Sequence, residues 1–150
     1  MNGEPLSILH VEDNPDHAHL IARSLKQHRV ANVVHLAEDG ETALDYLLRR
    51  GNYEDPQKSP RPNVVLLDLR LPKIDGLDVL RVIRSTEELA RIPVVILTSS
   101  DAEKDVVQSY DYHANSYLVK PVDFDKFLKM MECLGFYWLA WNRYPSLSEV

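Results

Sequence analysis

The chain has 150 residues, of which 45% are hydrophobic and 27% charged, and this is the size and composition of one domain with its own core. The formal net charge of −6 argues against a nucleic-acid partner, because no basic stripe is available to neutralise phosphates. A single cysteine, Cys133, excludes a disulfide within the chain, and the sequence has neither a signal-peptide pattern nor an apolar run long enough to cross a membrane, so we expect a cytoplasmic protein.

Five β-rich runs alternate along the chain with segments of helical spacing. The runs are residues 8–11, 33–37, 64–67, 94–97 and the shorter 117–119. The third and fourth runs are nearly continuous in Val, Ile and Leu, as expected of parallel strands covered on both faces. The alternation predicts a doubly wound α/β sheet with right-handed crossovers.

The segments between the runs predict helices with recognisable starts. Asn14 is placed to cap a first helix with Pro15 in its first position, and Asp39 begins a second. A fifth helix is expected from Asp123. The positions expected to face the core in the third and fourth helices are Leu77, Leu80 and Ile83, and Ala102, Val106 and Tyr110.

Polar residues stand at the ends of four predicted strands. Glu12 and Asp13 follow the first strand, Asp68 the third, Thr98 the fourth and Lys120 the fifth. Because sites in doubly wound sheets lie at the carboxyl ends of the strands, we expect these side chains to converge. Carboxylates that are brought together repel one another, and Mg²⁺, which prefers oxygen ligands, removes that conflict.

Such a set of residues fits phosphoryl transfer to a carboxylate. Asp68 is the expected nucleophile, and the metal, Lys120 and Thr98 are expected to stabilise negative charge on the phosphoryl oxygens. A rival class, the phosphatases with an aspartate nucleophile, carries a second aspartate two residues further on. Arg70 occupies that position here, so we expect a phosphoacceptor rather than an enzyme that acts on other substrates.

Over about residues 6–131 the sequence resembles the receiver domains of bacterial response regulators. The motifs that carry the resemblance are HVEDN at Glu12 and Asp13, LLDLRLPKIDG around Asp68, VVILTSS at Thr98 and SYLVKP at Lys120. The resemblance implies a single domain over residues 1–150, with a flavodoxin-like sheet of order 2-1-3-4-5, five helices and a C-terminal extension at 132–150. It also implies phosphorylation by a histidine kinase and a signal carried by the face of the fourth helix, fifth strand and fifth helix.

The same resemblance implies individual roles at the site. Asp13, Asp68 and the backbone carbonyl of Arg70 would ligate Mg²⁺, and Glu12 would act through water. A cis bond is implied between Lys120 and Pro121, since cis bonds occur before proline. Tyr117 matches the aromatic position that turns inward when Thr98 is drawn to the phosphoryl group.

Two further positions bear on the lifetime of the phosphorylated state. The resemblance implies that Arg70 and Ser100 flank the path of water to the acyl phosphate, and our hypothesis is that Arg70 tunes hydrolysis by contacting or shielding the phosphoryl group. The alternative function is a phosphorylation-independent binding module that kept the fold. The intact set of Asp13, Asp68, Thr98 and Lys120 argues against that alternative.

Two segments are unusual for such a domain. Residues 51–63 form a long polar connection with three prolines, either a tolerated insertion or a partner-contact loop. The extension is aromatic and predicts a homodimer, with the anchors Phe136, Tyr137, Trp138 and Trp141. We expect a stand-alone regulator, and the insertion and the extension resemble regulators of bacterial phytochrome-type histidine kinases.

Overall fold

The computed structural model describes residues 6–26, 32–99, 102–120, 125–126 and 129. Five parallel strands form one sheet in the order β2-β1-β3-β4-β5, which confirms the predicted topology. The predicted strand bounds shift by at most two residues. The strands are β1 (Leu6–Val11), β2 (Asn32–Ala37), β3 (Val64–Leu67), β4 (Val94–Thr98) and β5 (Ser116–Val119).

Four α-helices connect the strands within the described residues. They are α1 (Pro15–Lys26), α2 (Gly40–Leu48), α3 (Gly76–Ser85) and α4 (Glu103–Asp111), and a short 3₁₀ turn covers Gly51–Tyr53. The predicted fifth helix from Asp123 falls largely outside the described residues, as do Ser100, Pro121 with its predicted cis bond, and the four predicted dimer anchors of the extension. Among the residues described, no helix is long and apolar enough to cross a bilayer.

The first two helices begin where the sequence predicts. The Asn14 Oδ1 atom accepts hydrogen bonds from the backbone N–H groups of Asp16 and His17, at 3.0 and 3.2 Å. The Asp39 Oδ1 atom accepts one from the backbone N–H of Thr42 at 2.6 Å. These side chains satisfy amides that the first helical turn leaves without partners, and α1 therefore starts directly after the strand end that carries Glu12 and Asp13.

The sheet is covered on both faces, as the apolar strands predict. One buried cluster joins β1, β3 and β4 to α2 and α3, and includes Leu47, Leu80 and Ile83. A smaller cluster on the other face packs Ile21 and Leu25 of α1 against the same strands. Since both layers bury large aliphatic side chains completely, the strands are held rigidly and their ends are fixed relative to one another.

The predicted inward face of α4 is wrong. Tyr110 is 50% exposed, Ala102 is exposed and Val106 is only partly buried, whereas Asp105 and Ser109 are buried. The apolar spacing misled because the helix buries Asp105, whose carboxylate pairs with the charged side chain of Arg70.

The end of the connection at residues 51–63 is packed against its own domain, whereas residues 54–58 are exposed. Ser59 is buried and its hydroxyl donates to the carbonyl of Tyr53 at 2.8 Å. The Tyr46 hydroxyl donates to the carbonyl of Pro60 at 2.9 Å, and the backbone N–H of Asn63 donates to the carbonyl of Ser7 at 2.7 Å. These bonds tie the connection to α2 and β1.

Candidate functional site at the carboxyl ends of the strands

The strand-end residues predicted from the sequence converge at one edge of the sheet. Lys120 Nζ donates a hydrogen bond to Asp68 Oδ2 at 3.0 Å and another to Glu12 Oε1, and Thr98 Oγ1 donates to Asp68 Oδ1 at 2.7 Å. Backbone hydrogen bonds hold these positions. The N–H of Asp68 donates to the carbonyl of Val11 at 3.1 Å, and the N–H of Lys120 donates to the carbonyl of Thr98 at 2.7 Å. The parallel sheet therefore brings four separate motifs into direct contact.

Most side chains of this group are buried. Glu12, Asp68, Thr98 and Lys120 are all buried, and only Asp13 is exposed. Buried charges are tolerated when they are paired and hydrogen-bonded, and Lys120 provides that pairing for two carboxylates at once.

The two buried carboxylates have opposite shifts in pKa. Burial raises the pKa of the Glu12 carboxyl to about 7, although Lys120 opposes the shift. Burial alone would also raise the pKa of Asp68, but the charge of Lys120 and the hydrogen bonds from Thr98 and Lys120 outweigh it and hold the pKa of Asp68 below its ordinary value. Asp68 is consequently the carboxylate that stays ionised, which is the state a nucleophile needs.

Glu12, Asp13 and Asp68 together fit a divalent cation. Each offers a carboxylate oxygen, and these three oxygens all lie within 4.8 Å of one another. An all-oxygen set of this kind suits hard cations, and a bound cation would relieve the unfavourable burial of Glu12. Within the described residues, this is the one group of three or more potential ligands that lie so close together.

Close packing of the following loop fixes the backbone at Asp68. A Cβ atom on Gly76, at the start of α3, would lie 2.2 Å from the carbonyl oxygen of Asp68 and 2.7 Å from the Cα of Leu69. The Gly76 N–H donates to the Leu69 carbonyl at 3.0 Å. Only glycine permits this approach, so the turn after Asp68 is set against the first turn of α3.

The Arg70 side chain reaches α4. Its backbone N–H donates to Asp68 Oδ1 at 3.2 Å, and its guanidinium donates to the buried carboxylate of Asp105. The apolar spacing of α4 did not indicate Asp105 as a buried residue beside the site.

Tyr117 occupies β5 beside the site. It is partly buried and packs against the cluster that covers β4. Its register partner on β4 is Ile96, two residues before Thr98. This position is compatible with the predicted switch role.

Two histidines that no sequence motif indicated lie at the site. His17 Nδ1 lies 3.2 Å from Lys120 Nζ and 3.9 Å from Glu12 Oε1. Burial, and then the charge of Lys120, lower the pKa of His17, so its neutral ring can accept a hydrogen bond from the ammonium. The sequence could have indicated His17, because it lies in the first turn of a helix that directly follows Glu12 and Asp13.

His10 is the second of these histidines and lies in β1. Burial, with a further effect of Lys120, lowers the pKa of His10 to about 3. Its Nδ1 atom has no hydrogen-bond partner within the described part of the chain. It is therefore a neutral group beneath the site, and its position in an apolar run gave no sign of this in the sequence.

A doubly wound 2-1-3-4-5 sheet with an ionised aspartate, a lysine, a threonine and an acidic cluster at its strand ends defines a receiver-type signalling protein. Residues 8–132 match the family model described as response regulator receiver domain. The chain belongs to the response regulator receiver domain family.

Similar proteins cover nearly the whole chain. A probable methanogenesis regulatory protein, FilR2 of Methanothrix harundinacea, is 44% identical over 144 residues, which are 95% of this chain and 90% of FilR2. Response regulator Rcp1 of Synechocystis is 42% identical over 142 residues, with 95% of each chain covered.

Solved structures agree with the fold closely. The Mn²⁺-bound form of Rcp1 has a TM-score of 0.90 and 40% identity, over 95% of this chain and all of that one. The phosphorylated cyanobacterial phytochrome response regulator RcpA also has a TM-score of 0.90, with 37% identity and the same coverage. The resemblance to regulators of phytochrome kinases that the sequence suggested is thus confirmed, and the family supports a phosphorylated regulator over a phosphorylation-independent adaptor.

Proposed function

We propose that Asp68 accepts a phosphoryl group from the phosphohistidine of a histidine kinase and so becomes an aspartyl phosphate. A carboxylate oxygen of Asp68 attacks the phosphorus, the bond from phosphorus to the histidine nitrogen breaks, and the neutral histidine of the kinase is released. The observation that carries this proposal is the buried Asp68 carboxylate, which is held ionised by Lys120 and Thr98.

The surrounding side chains provide the charge stabilisation that this transfer needs. Thr98 and Lys120 already donate to the two oxygens of Asp68, so both donors lie where the equatorial oxygens of the phosphoryl group would form. Preorganised donors in a buried site need little rearrangement as the charge develops. Lys120 neutralises one charge, and a second positive centre is required for the dianionic group.

Mg²⁺ is the second positive centre that we propose. Asp13, Asp68 and the backbone carbonyl of Arg70 would hold it, with Glu12 acting through water. Bound there, the cation would neutralise charge on the transferring group. The mutual proximity of the three carboxylates supports this choice, as does the Mn²⁺-bound form of Rcp1, which is similar over its whole length.

The signal would pass from Thr98 through Tyr117 to the surface of α4 and β5. Phosphorylation of Asp68 adds charge and acceptor oxygens at the end of β3, beside Thr98 at the end of β4, and would bias contacts that have two alternative arrangements there. The protein would act in the cytoplasm as a phosphoacceptor and not as an enzyme on other substrates. A phytochrome-type kinase is the partner favoured by similarity to RcpA.

A homodimer through the aromatic extension at residues 132–150 is also part of the proposal. Its anchors would be Phe136, Tyr137, Trp138 and Trp141, residue types that are enriched in interfaces. Sedimentation of the full chain against a chain truncated after Leu134 tests this, with a dimer expected only for the full chain. A monomer in both cases would exclude it.

Intact-mass measurement after incubation with a small phosphodonor tests the phosphoacceptor role. We expect one phosphoryl group per chain in the presence of Mg²⁺ and none after chelation. Asp68→Asn should remove the modification. Asp75→Asn is the matched control, because Asp75 is an exposed acid in the loop that follows. Equal labelling of wild type and Asp68→Asn would refute the proposed function.

A further inference from the structure

An ion pair links the loop after Asp68 to α4. The Arg70 guanidinium donates to the carboxylate of Asp105, the third residue of that helix. The Asp105 side chain is 4% exposed and the Arg70 side chain is 61% exposed. The carboxylate is therefore fixed within the fold, and the guanidinium is the partner that can move.

Arg70 also begins at the rim of the phosphoacceptor pocket. Its backbone N–H donates to Asp68 Oδ1 at 3.2 Å, so its side chain starts next to the oxygen atoms that a phosphoryl group would join. A phosphoryl group carries about −1.5 to −2 charges and three acceptor oxygens, against one charge on a carboxylate. Guanidinium groups bind both kinds of anion through paired N–H donors. Phosphorylation thus offers the Arg70 guanidinium a second anion, the phosphoryl group on Asp68, which carries more charge than the carboxylate of Asp105.

We propose that Asp105 is a positioning residue that competes with the phosphoryl group on Asp68 for the Arg70 guanidinium, and thereby sets the lifetime of the aspartyl phosphate. The inference rests on the proposed function, namely that Asp68 is phosphorylated. In hydrolysis a water oxygen attacks phosphorus, the bond from phosphorus to the Asp68 oxygen breaks, and inorganic phosphate and a proton are released. Arg70 held on Asp105 leaves the path of that water open, and Arg70 on the phosphoryl group closes it.

The competition has a consequence for α4. Ala102, the residue before this helix, makes no side-chain capping hydrogen bond, and the Asp105 ion pair ties the first turn to the loop after Asp68. Movement of Arg70 to the phosphoryl group removes the charged partner of a buried carboxylate, which is costly. The first turn of α4 is then loosened by phosphorylation, and the coupling is reciprocal.

The lifetime of the phosphorylated chain tests the competition. Asp105→Asn keeps the shape and removes the charge, so Arg70 should move to the phosphoryl group and lengthen the half-life by roughly 3- to 10-fold. Arg70→Ala should shorten the half-life, and Asp105→Asn should then have no further effect. Asp111→Asn, an exposed acid at the other end of α4, is the control and should leave the half-life unchanged.

Hydrogen exchange on chains with an intact Asp105 gives a second test that does not depend on the stability of Asp105→Asn. Beryllofluoride with Mg²⁺, a phosphoryl mimic, should speed exchange in the first turn of α4 of the wild type and not of Arg70→Ala. A half-life unchanged by Asp105→Asn, or changed equally with and without Arg70, would overturn the inference. So would unchanged exchange in the wild type. Failure of the proposed function is separate, because then the wild type takes up no phosphoryl group at all.

Discussion

Removal of the Lys120 ammonium group is the perturbation whose outcome follows most directly from the geometry. Its Nζ atom donates to Asp68 and to Glu12, and its side chain is only 2% exposed. Lys120→Met keeps the length of the side chain and leaves two buried carboxylates without their cation. Loss of one partner of a buried pair costs about 3–5 kcal/mol, and we expect the lower end because the carboxylates can take up protons.

Urea denaturation of the metal-free chain measures this cost. At pH 7.5 we expect Lys120→Met to lose about 3 kcal/mol of unfolding free energy, falling to about 1 kcal/mol at pH 5, because protonation neutralises the carboxylates. Mg²⁺ should restore part of the loss. Lys73→Met is the control, since Lys73 is exposed and its ion pairs with Asp39 and Glu41 are both 3.7 Å long, so less than about 1 kcal/mol is expected. A loss for Lys120→Met that is as small as the control, and independent of pH and Mg²⁺, would refute the reasoning.

Three further predictions concern single residues of the site. In the metal-free chain the pKa of Glu12 is raised from 4.5 to about 7, so the folded state retains a proton that the unfolded state releases. The unfolding free energy should therefore fall as pH rises through that window, and Glu12→Gln should flatten the profile; an identical slope in both chains would contradict the assignment. Gly76→Ala should cost about 2 kcal/mol or more in thermal unfolding, because its Cβ would lie 2.2 Å from a backbone oxygen. Gly51→Ala, whose Cβ meets nothing within 4 Å but whose φ is +59°, should cost only about 1 kcal/mol, and equal losses would contradict the packing argument. Thr98→Ala removes the 2.7 Å donor to Asp68 and should slow phosphorylation by a small phosphodonor roughly 10- to 100-fold, whereas an unchanged rate would contradict its role.

The alternation of strands and helices and the strand-end chemistry could be predicted from local patterns in the sequence, whereas the strand order came from the resemblance to receiver domains. Runs such as Val64–Leu67 fit only a strand buried on both faces, and the parallel arrangement then places every strand end on one edge. Because each motif directly follows a strand, the convergence of Glu12, Asp68, Thr98 and Lys120 follows from that arrangement alone. Caps at Asn14 and Asp39 were also local signals, so these two helix starts were correct.

Residues that join the site through long-range contacts could not be predicted in this way. The apolar spacing of α4 pointed to Val106 and Tyr110, but the helix buries Asp105, whose partner Arg70 lies 35 residues earlier in the chain. Similarly, His17 meets Lys120 across 103 residues. Such pairings depend on the exact placement of two elements, and a periodic pattern in one element carries no information about the charge that the other presents.

Chemical identification of the phosphorylated residue tests the central claim most directly. An aspartyl phosphate is an acyl phosphate, and borohydride reduces it to homoserine, which peptide mass spectrometry can locate. After incubation with a phosphodonor and Mg²⁺, the account predicts homoserine at position 68 and at no other acidic residue. Homoserine at position 12 or 13, or phosphoryl label without any homoserine, would contradict the account.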